Sequence, residues 1–360
     1  MSWLLLTLYG AMTLVLAGNL AFLMARRRRP GGAFSGRLSI LVPARNEEAN
    51  LARLLRTVLA QQGVNFEVVI HDDASEDGTA RVVSETGDPR VRLFRGQGPP
   101  PGWVGKVHAL YQASRQASGD LFLFLDADTA FTDPDALARM TSRYAAFPAH
   151  SVLTALPHFR GGAAVLVSLV PYGLLTNLPL PFSERWGGRW VTALNGQCWM
   201  IGRDDYLAHE PHLHHPGEVL EDVRIGQYLA GRGIRPKFAD LRGELEVWMY
   251  RSLGDAWRGF RKNSYLLLGG RPVPFALFFG LFTLTFVAAP FWSVGWLAWA
   301  MGTKLASDRF CRFPLWVSLA APATFVLWVV LLLDSAWSHW RGHVEWKGRG
   351  VAARTNRRVG

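Results

Sequence analysis

Leu121-Phe122-Leu123-Phe124-Leu125-Asp126-Ala127-Asp128 is the stretch on which the fold turns. Five consecutive apolar residues read as a buried strand, and the two acids after them stand at its carboxyl end. A carboxylate just past a buried strand is held rigidly by the sheet. Two of them, one residue apart, can grip a divalent cation and a ribose together. Magnesium and manganese prefer such oxygen ligands and keep open positions for diphosphate oxygens. Alone, the Asp-x-Asp pair is equally an acidic turn.

Working outward, the same pattern repeats. Leu38–Pro43 is a short β-type run closed by proline, and Glu47–Gln61 has helical periodicity with Leu51, Leu54, Leu55, Val58 and Leu59 on one face. Phe66–Ile70 is a second strand, Thr79–Glu85 a second helix, Val91–Phe94 a third strand and Lys106–Gln116 a third helix. Alternating strands and helices predict a mostly parallel α/β sheet, whose ligands bind beyond the carboxyl ends of the strands. The first strand ends in Pro43-Ala44-Arg45-Asn46-Glu47-Glu48 and the second in His71-Asp72-Asp73-Ala74-Ser75-Glu76-Asp77-Gly78-Thr79. Acidic clusters on several strand ends weigh against a chance turn at Asp126.

The flanks have a different character. The chain has 360 residues, 49% hydrophobic, with a formal net charge of +11. Trp3–Met24 is an uncharged run long enough to cross a bilayer, and Arg26–Arg29 follow it. A secretory signal carries its charge before the apolar run, so this is expected to be a retained anchor with a cytoplasmic basic flank. Val273–Met301 and Pro314–Trp337 are again strongly apolar; the first reads as one tilted span or a short hairpin. The 15 Trp suit interfacial belts. Cys198 and Cys311 have no metal or disulfide spacing. The basic residues are spread over membrane flanks and tail, which excludes a nucleic-acid recognition module.

Pro43–Glu47, Asp72–Thr79, Gly102-Trp103-Val104-Gly105-Lys106, Phe124–Asp128, Asn195-Gly196-Gln197, Gly217–Asp222, Met249–Ser252, Lys262-Asn263 and Glu345–Arg349 together resemble the family 2 glycosyltransferases. Within them, the chain is most similar to the membrane enzymes associated with hopanoid and carotenoid biosynthesis. The resemblance implies an α/β GT-A fold, a Rossmann-like nucleotide-diphospho-sugar transferase domain, beside transmembrane α-helices. It also implies inverting transfer from a nucleoside-diphosphate sugar, with UDP-glucose as the default donor, to a membrane lipid such as an isoprenoid-derived one.

Carried over residue by residue, Pro43, Ala44, Arg45, Glu47, Asp72 and Asp73 would line the nucleotide pocket, with Lys106 at the diphosphate and Asp126 at the nucleoside. Asp128 would bind Mg2+ or Mn2+. Asp222, beside Glu221, would be the catalytic base. Arg258, Arg261 and Lys262 would meet the departing diphosphate. Lys262 stands where processive polymer synthases carry a tryptophan, which counts against a polysaccharide synthase. Intact Asp126, Asp128 and Asp222 count against a decayed, non-catalytic domain.

The expected layout is an anchor over 1–29, a catalytic domain over 36–250, an interfacial amphipathic helix over 251–272, transmembrane helices over 273–337 and a basic tail over 338–360. It would be a multi-pass protein of the inner cell membrane with its catalytic domain in the cytoplasm. His209, His212, His214 and His215 match no standard ligand spacing and are expected to form a mobile polar loop.

Overall fold

A computed structural model describes residues 2–27, 31–187 and 192–342, with the backbone alone of 345–346 and 349–350. Arg28, Arg29 and Pro30, and Lys347 and Gly348 of the motif at 345–349, lie outside the described residues. In chain order the first elements are α1 (Ser2–Arg27), β1 (Arg37–Ala44), α2 (Glu48–Leu59), β2 (Asn65–Asp73), α3 (Thr79–Ser84), β3 (Val91–Gly96), α4 (Gly105–Gln116) and β4 (Leu121–Leu125). Then come β5 (Thr129–Phe131), α5 (Ala136–Ala145), β6 (Ser151–Leu156), β7 (His158–Gly161), α6 (Ala164–Val167), α7 (Leu169–Asn177), α8 (Leu180–Trp186) and β8 (Cys198–Gly202). Next are α9 (Arg203–His209), α10 (Pro211–His214), α11 (Glu221–Ala230), β9 (Arg235–Asp240), β10 (Leu245–Tyr250) and α12 (Leu253–Leu267). Last come α13 (Pro272–Thr283), a π-helical segment (Leu284–Ala288), α14 (Ala289–Trp292), α15 (Val294–Phe310), α16 (Leu315–Leu319) and α17 (Ala321–Trp340).

The chain divides into two compact units. The sheet unit, Leu23–His158 with Leu180–Trp248, holds a seven-stranded sheet in the order β3-β2-β1-β4-β8-β6-β9. Strands β1 to β4 run parallel, as expected, but β8 is antiparallel to both β4 and β6. Only β8 is reversed, so the sheet is mixed but mostly parallel, as expected. Every residue of β4 is buried, because helices cover both faces and β1 and β8 flank its edges. One layer packs Leu51, Leu54, Leu55 and Val58 of α2 against Ile40, Val42, Val68 and Leu123. The other packs Leu110 and Ala113 of α4 and Ile225 of α11 against Phe122, Phe124 and Trp199.

That second layer corrects the histidine expectation. His212 is fully buried, donating or accepting at Tyr206 Oη (2.8 Å) and lying 5.1 Å from the Phe124 ring. Burial pushes its pKa down to about 3, so it packs as a neutral aromatic.

The helical unit comprises Met1–Phe22, Phe159–Pro179 and Met249–Gly360. Ser2–Arg27, Pro272–Trp292 and Ala321–Trp340 are each long and apolar enough to cross a membrane. The apolar stretch at 273–301 is interrupted at Ser293, which is extended and caps the next helix by accepting from Gly295 N–H. Pro290 lies inside the continuous helix Pro272–Trp292, just after its π-helical segment Leu284–Ala288 and before the break at Ser293. Tyr9 bonds the Thr285 carbonyl at 2.6 Å and stacks on Trp296 and Trp299. Lys304 is fully buried between Asp308 (2.5 Å) and Ser168 (2.9 Å), which satisfies a charge that would be costly alone.

Leu123 is fully buried at the centre of the sheet, opposite Ile40 and Met200. Leu123→Ala is expected to destabilise the sheet unit by about 2–5 kcal/mol, read as a lowered thermal midpoint of the detergent-solubilised protein.

Candidate active site

The parallel register sets the first part of the site: Pro43 lies opposite His71, and Ala44 opposite Asp72. Beyond these pairs the two strand-end loops lock together. Arg45 Nη1 donates to the carbonyls of Asp73 (2.8 Å) and Ala74 (3.1 Å). Asn46 N–H donates to Ser75 Oγ, Glu76 N–H donates to Asn46 Oδ1, and Glu47 N–H donates to Thr79 Oγ1. The locking holds Asn46 and Ala74 at φ of 53° and 56°. Asparagine tolerates that conformation; alanine does so at a cost, which the surrounding bonds offset. Asp72 is buried and accepts from Ser75 N–H at 3.0 Å. Pro43, Ala44, Arg45, Glu47, Asp72 and Asp73 therefore stand on one rim, at the ends of β1 and β2.

The second part is built on Lys106, in the first turn of α4. Its Nζ lies 2.8 Å from Asp126 Oδ1, 3.0 Å from Glu221 Oε1 and 3.1 Å from the Gly196 carbonyl. One ammonium thus joins the end of β4, the start of α11 and the loop before β8. Burial alone would lower the Lys106 pKa, but Asp126, Glu221 and Asp222 outweigh it and the pKa is raised. Burial pushes the Asp126 carboxyl up, against the pull of Lys106.

Asp222 is partly exposed. Burial by the surrounding protein and then the neighbouring Glu221 charge push its pKa up to about 6, again against Lys106. Its Oδ2 accepts from Gly196 N–H (2.9 Å) and its Oδ1 from Val223 N–H (2.8 Å). Each oxygen keeps a further lone pair, so the carboxylate is oriented without being saturated.

Gly196 is a positioning residue that sequence reasoning passed over, although it lies in the quoted Asn195-Gly196-Gln197 motif. It holds Asp222 through its N–H and Lys106 through its carbonyl. The next residue, Gln197, accepts from Asp126 N–H at 3.1 Å. Asn195 fixes the loop by donating to the Ala155 carbonyl and accepting from Gln197 N–H. A side chain at 196 would meet Asp222: a Cβ there falls 2.8 Å from Asp222 Oδ2.

Asp128 follows on the turn into β5, and its carbonyl accepts from Trp248 N–H at 2.8 Å. A magnesium or manganese ion suits this position, because Asp128 offers a hard oxygen donor. Among the described residues no group of three His, Cys, Asp or Glu side chains is assembled to hold a metal. Most of a coordination sphere would fall to diphosphate and water, as these ions favour. Arg258 and Arg261 lie on α12 in the helical unit, at 2.6 Å from Asp255 and 3.9 Å from Asp334 respectively, and Lys262 follows them. His71, next to Asp72, is buried, and neither ring nitrogen has a hydrogen-bond partner among the described residues.

With this geometry in view, the relationships of the chain are informative. Residues 39–206 match the model of Glycosyl transferase family 2. Over that segment the chain is similar to the family 2 glycosyltransferases, and its fold is GT-A. A mannosyltransferase of Pyrobaculum calidifontis, solved in complex with GDP-Man and Mn2+, aligns over 93% of this chain and 98% of its own, with a TM-score of 0.56 and 19% identity, a likeness of fold. The 4,4'-diaponeurosporenoate glycosyltransferase of Staphylococcus aureus is 28% identical over 195 residues, 52% of this chain and 50% of that protein. Its Staphylococcus haemolyticus counterpart is 24% identical over 210 residues, 58% of this chain and 56% of that protein. The chain thus spans about half the length of the curated relatives it matches.

Gly196→Ala is expected to push the Asp222 carboxylate aside while leaving the rim at β1 and β2 intact. Misplacing a catalytic group by about 1 Å costs roughly 100-fold in rate. Turnover should fall on that scale with nucleotide affinity retained, measured by steady-state kinetics beside titration calorimetry.

Proposed function

We propose that this protein is a membrane glycosyltransferase that moves a sugar from a nucleoside-diphosphate sugar to a lipid acceptor, with inversion at the anomeric carbon. The observation that carries this reading is the gathering of Asp126, Lys106, Glu221 and Asp222 into one cluster at the ends of the strands. UDP-glucose is the first donor to test, and an isoprenoid-derived lipid the first acceptor. The named staphylococcal relatives act on a carotenoid acid, which supports an apolar, isoprenoid-type acceptor here. Three helices of spanning length support delivery of that acceptor within the membrane.

Each residue then has a distinct task. The rim of Pro43, Ala44, Arg45, Glu47, Asp72 and Asp73 receives the nucleoside, with Asp126 on its other side. Lys106 remains protonated and keeps the carboxylates around it from presenting a bare negative surface to the diphosphate. Arg258, Arg261 and Lys262 are the further cations assigned to the leaving group by the family resemblance. Asp128 would hold Mg2+ or Mn2+, and such an ion, when bound, neutralises charge on the departing diphosphate. Asp222 takes the proton from the acceptor hydroxyl as that oxygen attacks. The anchor's basic end at Arg26 and Arg27 supports a cytoplasmic position for the catalytic unit of a multi-pass protein.

The pH dependence follows from the sign of the Asp222 shift. A base must be ionised to act, and this carboxyl ionises only as pH rises through about 6. Activity per unit of substrate should therefore climb through about pH 6 and level off above it. With purified protein in nanodiscs, nucleotide sugars and Mg2+ or Mn2+, release of nucleoside diphosphate is the readout. Asp222→Asn should lower turnover by roughly 100-fold or more, retain donor binding and abolish the acid limb. Asp128→Asn should instead weaken metal-dependent donor binding; unchanged metal dependence contradicts its role as a ligand.

A further inference from the structure

The helix α8 carries two faces of opposite character. Leu180, Ser183 and Glu184 are buried, whereas Pro181, Phe182, Arg185 and Trp186 face outward. Phe182 is 47% exposed and Trp186 is 62% exposed, in a sheet unit whose other large apolar groups are mostly covered. Their rings sit 5.1 Å apart, and the Arg185 guanidinium lies 5.0 Å from the Trp186 ring. Two aromatics and a cation on one short exposed face need a partner that is apolar and anionic at once.

The buried face says where that partner is. Glu184 is shared by two cations, Arg26 and Lys237, the latter at 3.1 Å on β9. All three side chains are nearly withdrawn from solvent, with 8% and 12% exposures. This ion cluster stops α8 from rolling its aromatics inward. Arg26 is in the last turn of α1, a helix of membrane-spanning length. Arginines that close such a helix lie at the level of the lipid headgroups. The Arg26–Glu184 pair therefore ties α8 to that level. By composition alone, Ala164–Asn177 with Leu180–Trp186 passes as a broken span. A buried Glu184 held by two cations, with Arg185 beside it, keeps α8 out of the hydrocarbon.

We propose that α8 is a docking element through which the catalytic unit rests on the bilayer surface. Phe182 and Trp186 enter the interfacial zone, and Arg185 meets lipid phosphate. This is the usual habit of tryptophan and arginine at a membrane interface. The inference rests on the membrane placement given under Proposed function and is independent of the transfer chemistry. Its consequence is that α8 is a point of contact between the sheet unit and lipid.

The test is the depth of nitroxide labels on the full chain in nanodiscs of phosphatidylethanolamine and phosphatidylglycerol. Cys198 and Cys311 are buried, so single cysteines introduced on the surface can be labelled selectively. Phe182→Cys and Trp186→Cys report on α8, Leu14→Cys on the exposed side of α1 (76% exposed), and Glu85→Cys on a solvent-facing site (68%). Relaxation by oxygen should exceed relaxation by a water-soluble nickel chelate at 182, 186 and 14, and the order should reverse at 85. Nickel dominating at 182 and 186 while oxygen dominates at 14 overturns the docking role alone. Nickel dominating at 14 as well overturns the membrane placement and the docking role together.

Discussion

One ammonium group organises the site. Asp126 is far along the chain from the adjacent Glu221 and Asp222, and like charges brought together repel unless a cation stands among them. Lys106 supplies that cation from the first turn of α4, and burial strengthens its hold on both bridged carboxylates. The same contact ties down the Gly196 loop, which in turn aims Asp222. The three acids stand differently toward Lys106. Asp126 and Glu221 are directly paired with it, while Asp222 is held by the backbone N–H groups of Gly196 and Val223, and its pKa, like that of Asp126, is raised by burial. A carboxylate in that condition suits proton transfer near neutral pH.

Much of the sheet was legible because its physics is local. The apolar run of β4 matches the expected Leu121–Leu125, and the helices α2, α3 and α4 fall within a few residues of their periodic patterns. The reversal of β8 was not legible: its residues, Cys198–Gly202, carry no mark of direction, which depends on the connection that precedes them. His212 was misread for a different reason. Histidine counts as polar in a pattern, but here a neutral ring stacks beside Trp199 and Phe124. The break at Ser293 was hidden by Pro290, the more conspicuous residue, although serine's capping bond marks the boundary. The quoted motifs did point to the residues now found around Lys106, but they carried no sign of the Gly196 contacts, which depend on long-range packing.

The same limit applies to the membrane-facing parts. Spanning length is a sum over a window and is visible in any apolar run. The Glu184 cluster is a meeting of residues 26, 184 and 237, and no window contains it. Yet that cluster decides what α8 can do, because a buried ion pair held by two cations fixes which face turns outward. The clusters around Lys106 and Glu184 thus share one device: a buried charge that sets the orientation of the groups bonded to it.

The most direct measurement is the anomeric configuration of the glycolipid formed when the purified protein, in nanodiscs with a lipid extract, is given a nucleoside diphospho-α-sugar. A single displacement with Asp222 as base predicts a β-linked product and one nucleoside diphosphate released for each glycolipid. An α-linked product, or nucleotide release without any glycolipid across donors and extracts, would contradict the account.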